Sequence, residues 1–174
     1  MDKNSFSLAE AIKMAIDLEK NGRKFYQQAA DKTESESGKK IFKMLAHEEM
    51  LHLATFEKML KSMDKTVDWR EMIKGYPQAR QVPVFDKKEK PDQVRKVSTD
   101  ELEALRIAMK QEREAIEFFD KVMAQAEDET TKKIFDFVRE QEVYHYDLLQ
   151  AEYDYINHTG FWFDSAEFRM DGKF

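Results

Sequence analysis

The sequence predicts an all-α protein. It reads as a four-helix bundle with a long crossover between helices 2 and 3 and a short, aromatic C-terminal tail helix. Three observations carry this. Apolar residues recur at helical spacing in four long stretches. Turn material is scarce, with five Gly and three Pro in 174 residues, too little for many strands. All three prolines, Pro77, Pro83 and Pro91, fall in one aperiodic segment between the second and third stretches.

The first helix is expected over residues 6–31, where Leu8, Ala11, Ala15, Leu18, Gly22, Phe25 and Ala29 keep the period. The polar break "DKTESES" ends it, and a second helix over 35–61 follows, with Ser37 as a candidate N-cap. Residues 62–97 form the crossover, with one short helix expected around Asp68 to Lys74. A connection this long inside a compact domain normally has a task, here carrying the chain from one bundle end to the other. "STDE", Ser98 to Glu101, is a capping box that opens the third helix, which runs to about Ala126. After "EDET" the fourth helix runs to about Tyr155, where "NHTG" is expected to stop it. Residues 157–174 are the tail. Its Phe161, Trp162, Phe163, Phe168 and Phe174 are too apolar to stand in water, so it is expected to cover a bundle end or a neighbouring subunit. The whole of 1–174 reads as a single domain of ferritin-like topology, two helical hairpins joined by one long crossover.

Composition removes several functions. With no cysteine there is no disulfide, zinc-thiolate site, iron–sulfur cluster or thiol nucleophile within these residues. A net charge of −6 argues against bulk nucleic-acid binding, which needs a basic face. No stretch approaches the ~20 apolar residues of a membrane-spanning helix. The opening "MDKNSFSLAE" has no apolar signal segment, and a cytoplasmic location is expected.

The two halves repeat. Residues 8–60 match 101–153 at a constant offset of 93. "GKKIFKMLAHEEMLH" (38–52) aligns with "TKKIFDFVREQEVYH" (131–145), and "AIDLEKNGRKFYQ" (15–27) with "AMKQEREAIEFFD" (108–120). Some identities are apolar or surface residues. The others are chemical: Glu19 with Glu112, Glu49 with Glu142, His52 with His145. A duplicated hairpin can close on a pseudo-two-fold axis, and repeat mates then face each other.

These six polar residues sit inside the apolar stripes, where an unpaired charge costs several kcal/mol. Glu49 and His52, and Glu142 and His145, are spaced i, i+3, so each pair leaves one helix face together. A lone Glu-x-x-His mostly marks a solvated helix face. Two such pairs, each preceded by a helix with one in-stripe Glu and repeated in register, form the ligand pattern of dimetal carboxylate bundles. Four carboxylates balance two divalent cations, and oxygen-rich sets with some imidazole suit iron or manganese. His47 lies off the stripe and its repeat mate is Glu140, so it reads as a bystander.

At these positions the chain resembles the rubrerythrin group of the ferritin-like superfamily. The match is Glu19-x6-Tyr26, Glu49-x-x-His52, Glu112-x6-Phe119 and Glu142-x-x-His145, over residues 6 to 155. The resemblance implies two iron ions cycling between Fe2+ and Fe3+ and reacting with hydrogen peroxide or dioxygen. Manganese or zinc also suits the ligands. It departs from the group in three ways. The four-cysteine rubredoxin domain is missing, so electrons are expected from an external donor such as a rubredoxin-like protein. Ala115 stands where a second glutamate follows the third-helix ligand. Phe119 stands where that helix carries a tyrosine.

The leading expectation is a peroxide-reducing di-iron oxidoreductase and a homodimer, with no nucleic-acid or membrane partner. Tyr26 is its candidate catalytic neighbour, placed to hydrogen-bond a ligand carboxylate or an oxygen species. Ferroxidase-type iron sequestration, di-iron hydroxylation of an organic substrate and a purely structural bundle are the rivals.

Overall fold

A computed structural model describes residues 7–63, 68–76 and 97–159. Within them lie α1 (Leu8–Lys32), α2 (Glu36–Lys61), the short α3 (Trp69–Met72), α4 (Thr99–Gln125) and α5 (Glu129–Thr159). The tail aromatics and most of the crossover fall outside the described residues.

Local chemistry sets most helix ends. Ser7 caps α1 in a reciprocal capping box with Glu10, a signal the sequence reading passes over in starting the helix at residue 6. Ser35, not Ser37, caps α2, its hydroxyl accepting from the Gly38 amide. Ser37 is already inside the first turn. Asp68 caps α3, and Gly75 then turns the chain at φ +121°, a backbone region that disfavours residues with a Cβ. Ser98 and Glu101 make the expected box on α4. The buried Glu101 carboxylate also accepts from the Glu34 amide at 3.0 Å, tying the start of α4 to the α1–α2 turn. α5 outruns its expected end at Tyr155 and continues to Thr159. Asn157 and His158 each satisfy a carbonyl four residues back, Tyr153 and Asp154, so residues that usually stop a helix extend this one. His158 is thus a helical, exposed residue and not a turn.

Each short loop folds its helices into a hairpin. α1 packs chiefly on α2, and α4 chiefly on α5. α1 meets α4 along a thinner seam, while α3 lies against α2 and α5. Trp69 packs on the apolar core beneath it, and the Tyr76 ring meets Phe137 edge-on at 4.8 Å, so both anchor the crossover.

The apolar core comes in two blocks. One gathers Tyr26, Phe42, Leu45, Leu105 and Leu149. The other gathers Ile12, Phe56, Phe119, Ile134 and Phe135, with the Phe56 ring 5.0 Å from Phe135 and 5.7 Å from Phe119. Between them along every long helix falls a layer of polar side chains. Apolar burial on both sides fixes the helices, so this middle layer is held in place without contributing apolar contacts of its own.

Candidate metal centre

That middle layer holds all six residues singled out by the repeat. Glu19 (α1), Glu49 and His52 (α2), Glu112 (α4), and Glu142 and His145 (α5) are each at most 4% exposed. His47, on the other side of α2, is exposed. Repeat mates face one another, and the His52 and His145 rings lie near-parallel with centroids 5.5 Å apart.

The six divide into two overlapping groups. Glu19, Glu49, His52 and Glu142 bring one ligand atom each to within 4.8 Å of all the others, and so do Glu49, Glu112, Glu142 and His145. Glu49 and Glu142 belong to both. His52 Nδ1 stands 2.9 Å from Glu142 Oε1 and 3.3 Å from Glu19 Oε2. His145 Nδ1 stands 2.9 Å from the other Glu142 oxygen, Oε2, and 3.3 Å from Glu49 Oε1. Glu142 therefore offers one oxygen to each group.

Apart from the His52–Glu19 hydrogen bond, proximity here is not hydrogen bonding. Both Glu142 oxygens, Glu19 Oε1, Glu49 Oε1 and His145 Nδ1 are buried without a hydrogen-bond partner of acceptable geometry. Buried polar atoms are nearly always paired. Atoms that crowd together without bonding are converging on a shared point, as ligands of a common cation do. The donor set of four carboxylates and two imidazole nitrogens fits two divalent ions of the iron or manganese type.

The titration behaviour of these groups agrees. Burial, then the neighbouring Glu142, pushes Glu19 and Glu112 well above the usual carboxylate range. Burial alone would lower both histidines and raise Glu142. The histidines instead rise well above their ordinary value because carboxylates face them, Glu142 foremost, and Glu142 falls because both imidazoles face it. Protons thus sit where cations would relieve the same repulsion.

The two groups differ in their surroundings. The Tyr26 hydroxyl donates to Glu112 Oε1. Its repeat mate Phe119 packs in the aromatic block, so Glu19 receives no phenol. Burial and the Glu112 charge push the Tyr26 phenol well up, which keeps it a proton donor. His145 Nε2 donates to Glu48 at 2.6 Å, while His52 lies under the Tyr76 ring, centroids 5.9 Å apart. The Thr55 hydroxyl donates to the Tyr76 oxygen at 3.1 Å and holds that ring in place. Sequence reading missed Glu48 and the stacking of Tyr76 on His52. The one signal for Glu48 was its place beside Glu49 in "HEEMLH", opposite Gln141 in the repeat.

Gly22 is needed for close approach. A Cβ there would lie 2.8 Å from Glu49 Oε2. Beside it a cavity of about 220 Å³ opens at the α1–α4 seam. All four ligand-set carboxylates line it and neither histidine does.

The rubrerythrin family model matches residues 10–153. A solved structure of a hypothetical protein from Pyrococcus furiosus is similar, with 29% identity and a TM-score of 0.66, over 90% of this chain and 94% of that one. No curated protein matches the chain. No helix among the described residues is long and apolar enough to cross a membrane.

Proposed function

The chain belongs to the rubrerythrin family of di-iron proteins, and from that premise we propose that it is a cytoplasmic di-iron oxidoreductase that reduces hydrogen peroxide with electrons from an external donor. The observation that carries the reading is the pair of four-residue groups sharing Glu49 and Glu142, an arrangement suited to two bridged ions. Glu19, Glu49, His52 and Glu142 would hold one iron, and Glu49, Glu112, Glu142 and His145 the other. When bound, the irons supply the two electrons that cleaving an O–O bond requires.

The protein's own residues do the rest. Glu48 holds the His145 ring by its Nε2–H and so leaves Nδ1 to face the centre. Tyr26 keeps its proton on the phenol oxygen and donates a hydrogen bond to Glu112, a donor that also lines the cavity where the oxidant would sit. The two apolar blocks exclude water above and below. The cavity leaves the carboxylate side open to a small oxidant.

Anaerobic loading with ferrous iron should give about two irons per chain. Stopped-flow mixing with peroxide and, separately, with dioxygen then decides the oxidant. Faster oxidation by peroxide supports the proposal. Faster oxidation by dioxygen moves the reading to ferroxidase or hydroxylase chemistry.

Glu48→Gln should keep the fold and weaken metal binding by about tenfold or more, the usual scale for losing a carboxylate behind a ligating histidine. Competition with a chelating dye should show one of the two ions weakened more than the other, because the Glu48 carboxylate is hydrogen-bonded to His145 and not to His52 among the described residues.

A further inference from the structure

The cavity beside the centre is larger than hydrogen peroxide needs. A water molecule's share of the liquid is about 30 Å³, and an apolar cavity of about 150 Å³ holds a benzene molecule. This one measures about 220 Å³, part of which the two ions held by its carboxylates would take. Its floor is the four carboxylates, Tyr26 and Gln111 add polar groups beside them, Leu18, Gly22 and Ala115 are its apolar lining, and Asn21 and Glu114 are exposed. Gly22 and Ala115 are repeat mates, so the two smallest residues of the seam face it from both hairpins. An apolar wall over a polar floor fits a molecule with one small apolar end and one oxygen-bearing end. With the four carboxylates balanced by two divalent cations, the exposed Glu114 leaves one negative charge at the approach, which disfavours anionic substrates.

We propose that the α1–α4 cavity is a subsite for the alkyl group of a small, neutral organic hydroperoxide, R–OOH, and that Ala115 and Leu18 set the size of R. The proposal rests on the peroxidase reading above. R lies along Leu18 and Ala115, and the O–OH end reaches the carboxylate floor. Cleaving the O–O bond to give R–OH and H2O takes two protons from solvent and two electrons, which reduced metals would supply when held by the four carboxylates and two histidines. An external one-electron carrier, acting twice, restores the metals.

The test uses the full chain loaded with ferrous iron and mixed with tert-butyl hydroperoxide or with hydrogen peroxide. Ala115→Phe fills the cavity, and Ala115→Leu fills part of it and guards against misfolding. Both should still bind the wild-type amount of iron. The rate with tert-butyl hydroperoxide should fall about tenfold or more in the Phe variant, a scale reached by misfit in an apolar pocket. The rate with hydrogen peroxide should fall clearly less than that in both variants, because the smaller oxidant needs less of the cavity that the two peroxides share. A second readout uses zinc-loaded protein, which undergoes no redox chemistry. Titration with tert-butanol should shift the Ala115 methyl resonance saturably in wild type, and no saturable change should appear elsewhere along the cavity in Ala115→Phe.

A wild-type protein that consumes hydrogen peroxide but not tert-butyl hydroperoxide overturns the subsite and leaves the peroxidase reading standing. So do equal losses with both peroxides in the Ala115 variants, or no saturable shift with tert-butanol. Oxidation by neither peroxide sinks the peroxidase reading itself.

Discussion

Glu142→Ala is expected to remove both metal ions, whereas Glu19→Ala removes one. The difference follows from sharing. Glu142 gives one oxygen to the His52 side and the other to the His145 side, while Glu19 belongs to a single group. Anaerobic loading followed by elemental analysis should give about two ions per chain in wild type, about one in Glu19→Ala and about none in Glu142→Ala. Glu49→Ala should follow Glu142→Ala for the same reason. Truncation also opens a void in a packed layer, so Glu142→Gln, which keeps the volume and removes the charge, serves as the paired variant. Retained helicity by circular dichroism in the metal-free variants separates lost ligation from lost fold. Two ions in Glu142→Ala would refute the shared-carboxylate reading.

Metal should stabilise the protein more strongly as pH rises. In the metal-free chain Glu19, Glu112, His52 and His145 all titrate above their ordinary values. A group with a raised folded-state pKa binds its proton more tightly when folded. Its contribution is complete below the unfolded value, 4.5 for the glutamates and 6.5 for the histidines, and fades as pH climbs through the folded one. Glu142 runs the other way, since its lowered value contributes above 4.5 and is lost only in strong acid. The metal-free melting temperature should therefore decline from neutral pH into the alkaline range. Loaded protein lacks that decline, because cations have replaced the protons and binding releases them. With each ion at about a hundred times its Kd, two sites add about 5 kcal/mol. That is about 10–20 °C in a chain of this length. Calorimetry from pH 6 to 9, with and without manganese as a redox-stable probe, reads the effect. A metal-free melting temperature that rises across this range would contradict it.

Much of this was legible beforehand because two independent patterns coincide. Helical periodicity placed α1, α2, α4 and α5, and the 93-residue repeat picked six polar residues out of their stripes. Helix ends were read less well. Ser35 and Ser37 are chemically alike, and only backbone geometry decides which one caps. Asn157 and His158 extend α5 through side-chain bonds that propensity ignores. At the centre, the residues that come together were readable but their division into groups was not. Its i, i+3 partner His52 sets Glu49 apart from Glu19 in sequence, yet only the crossing of the hairpins puts Glu49 between both groups. Glu48 was hidden by its neighbour, because which of two adjacent acids meets a histidine on another helix is a tertiary fact.

The division of ligands between the hairpins has one more consequence. Each metal group takes three residues from one hairpin and a single carboxylate from the other: Glu19, Glu49 and His52 with Glu142, then Glu112, Glu142 and His145 with Glu49. A hairpin alone is an unfinished coordination sphere, and the piece it lacks is the piece it lends. Two identical hairpins meeting face to face would complete each other in the same way. The present chain has the form of one such pair joined end to end, with tyrosine at position 26 in one half and phenylalanine at 119 in the other. Joined in one chain the halves need not be identical, and the centre between them has two unlike sides.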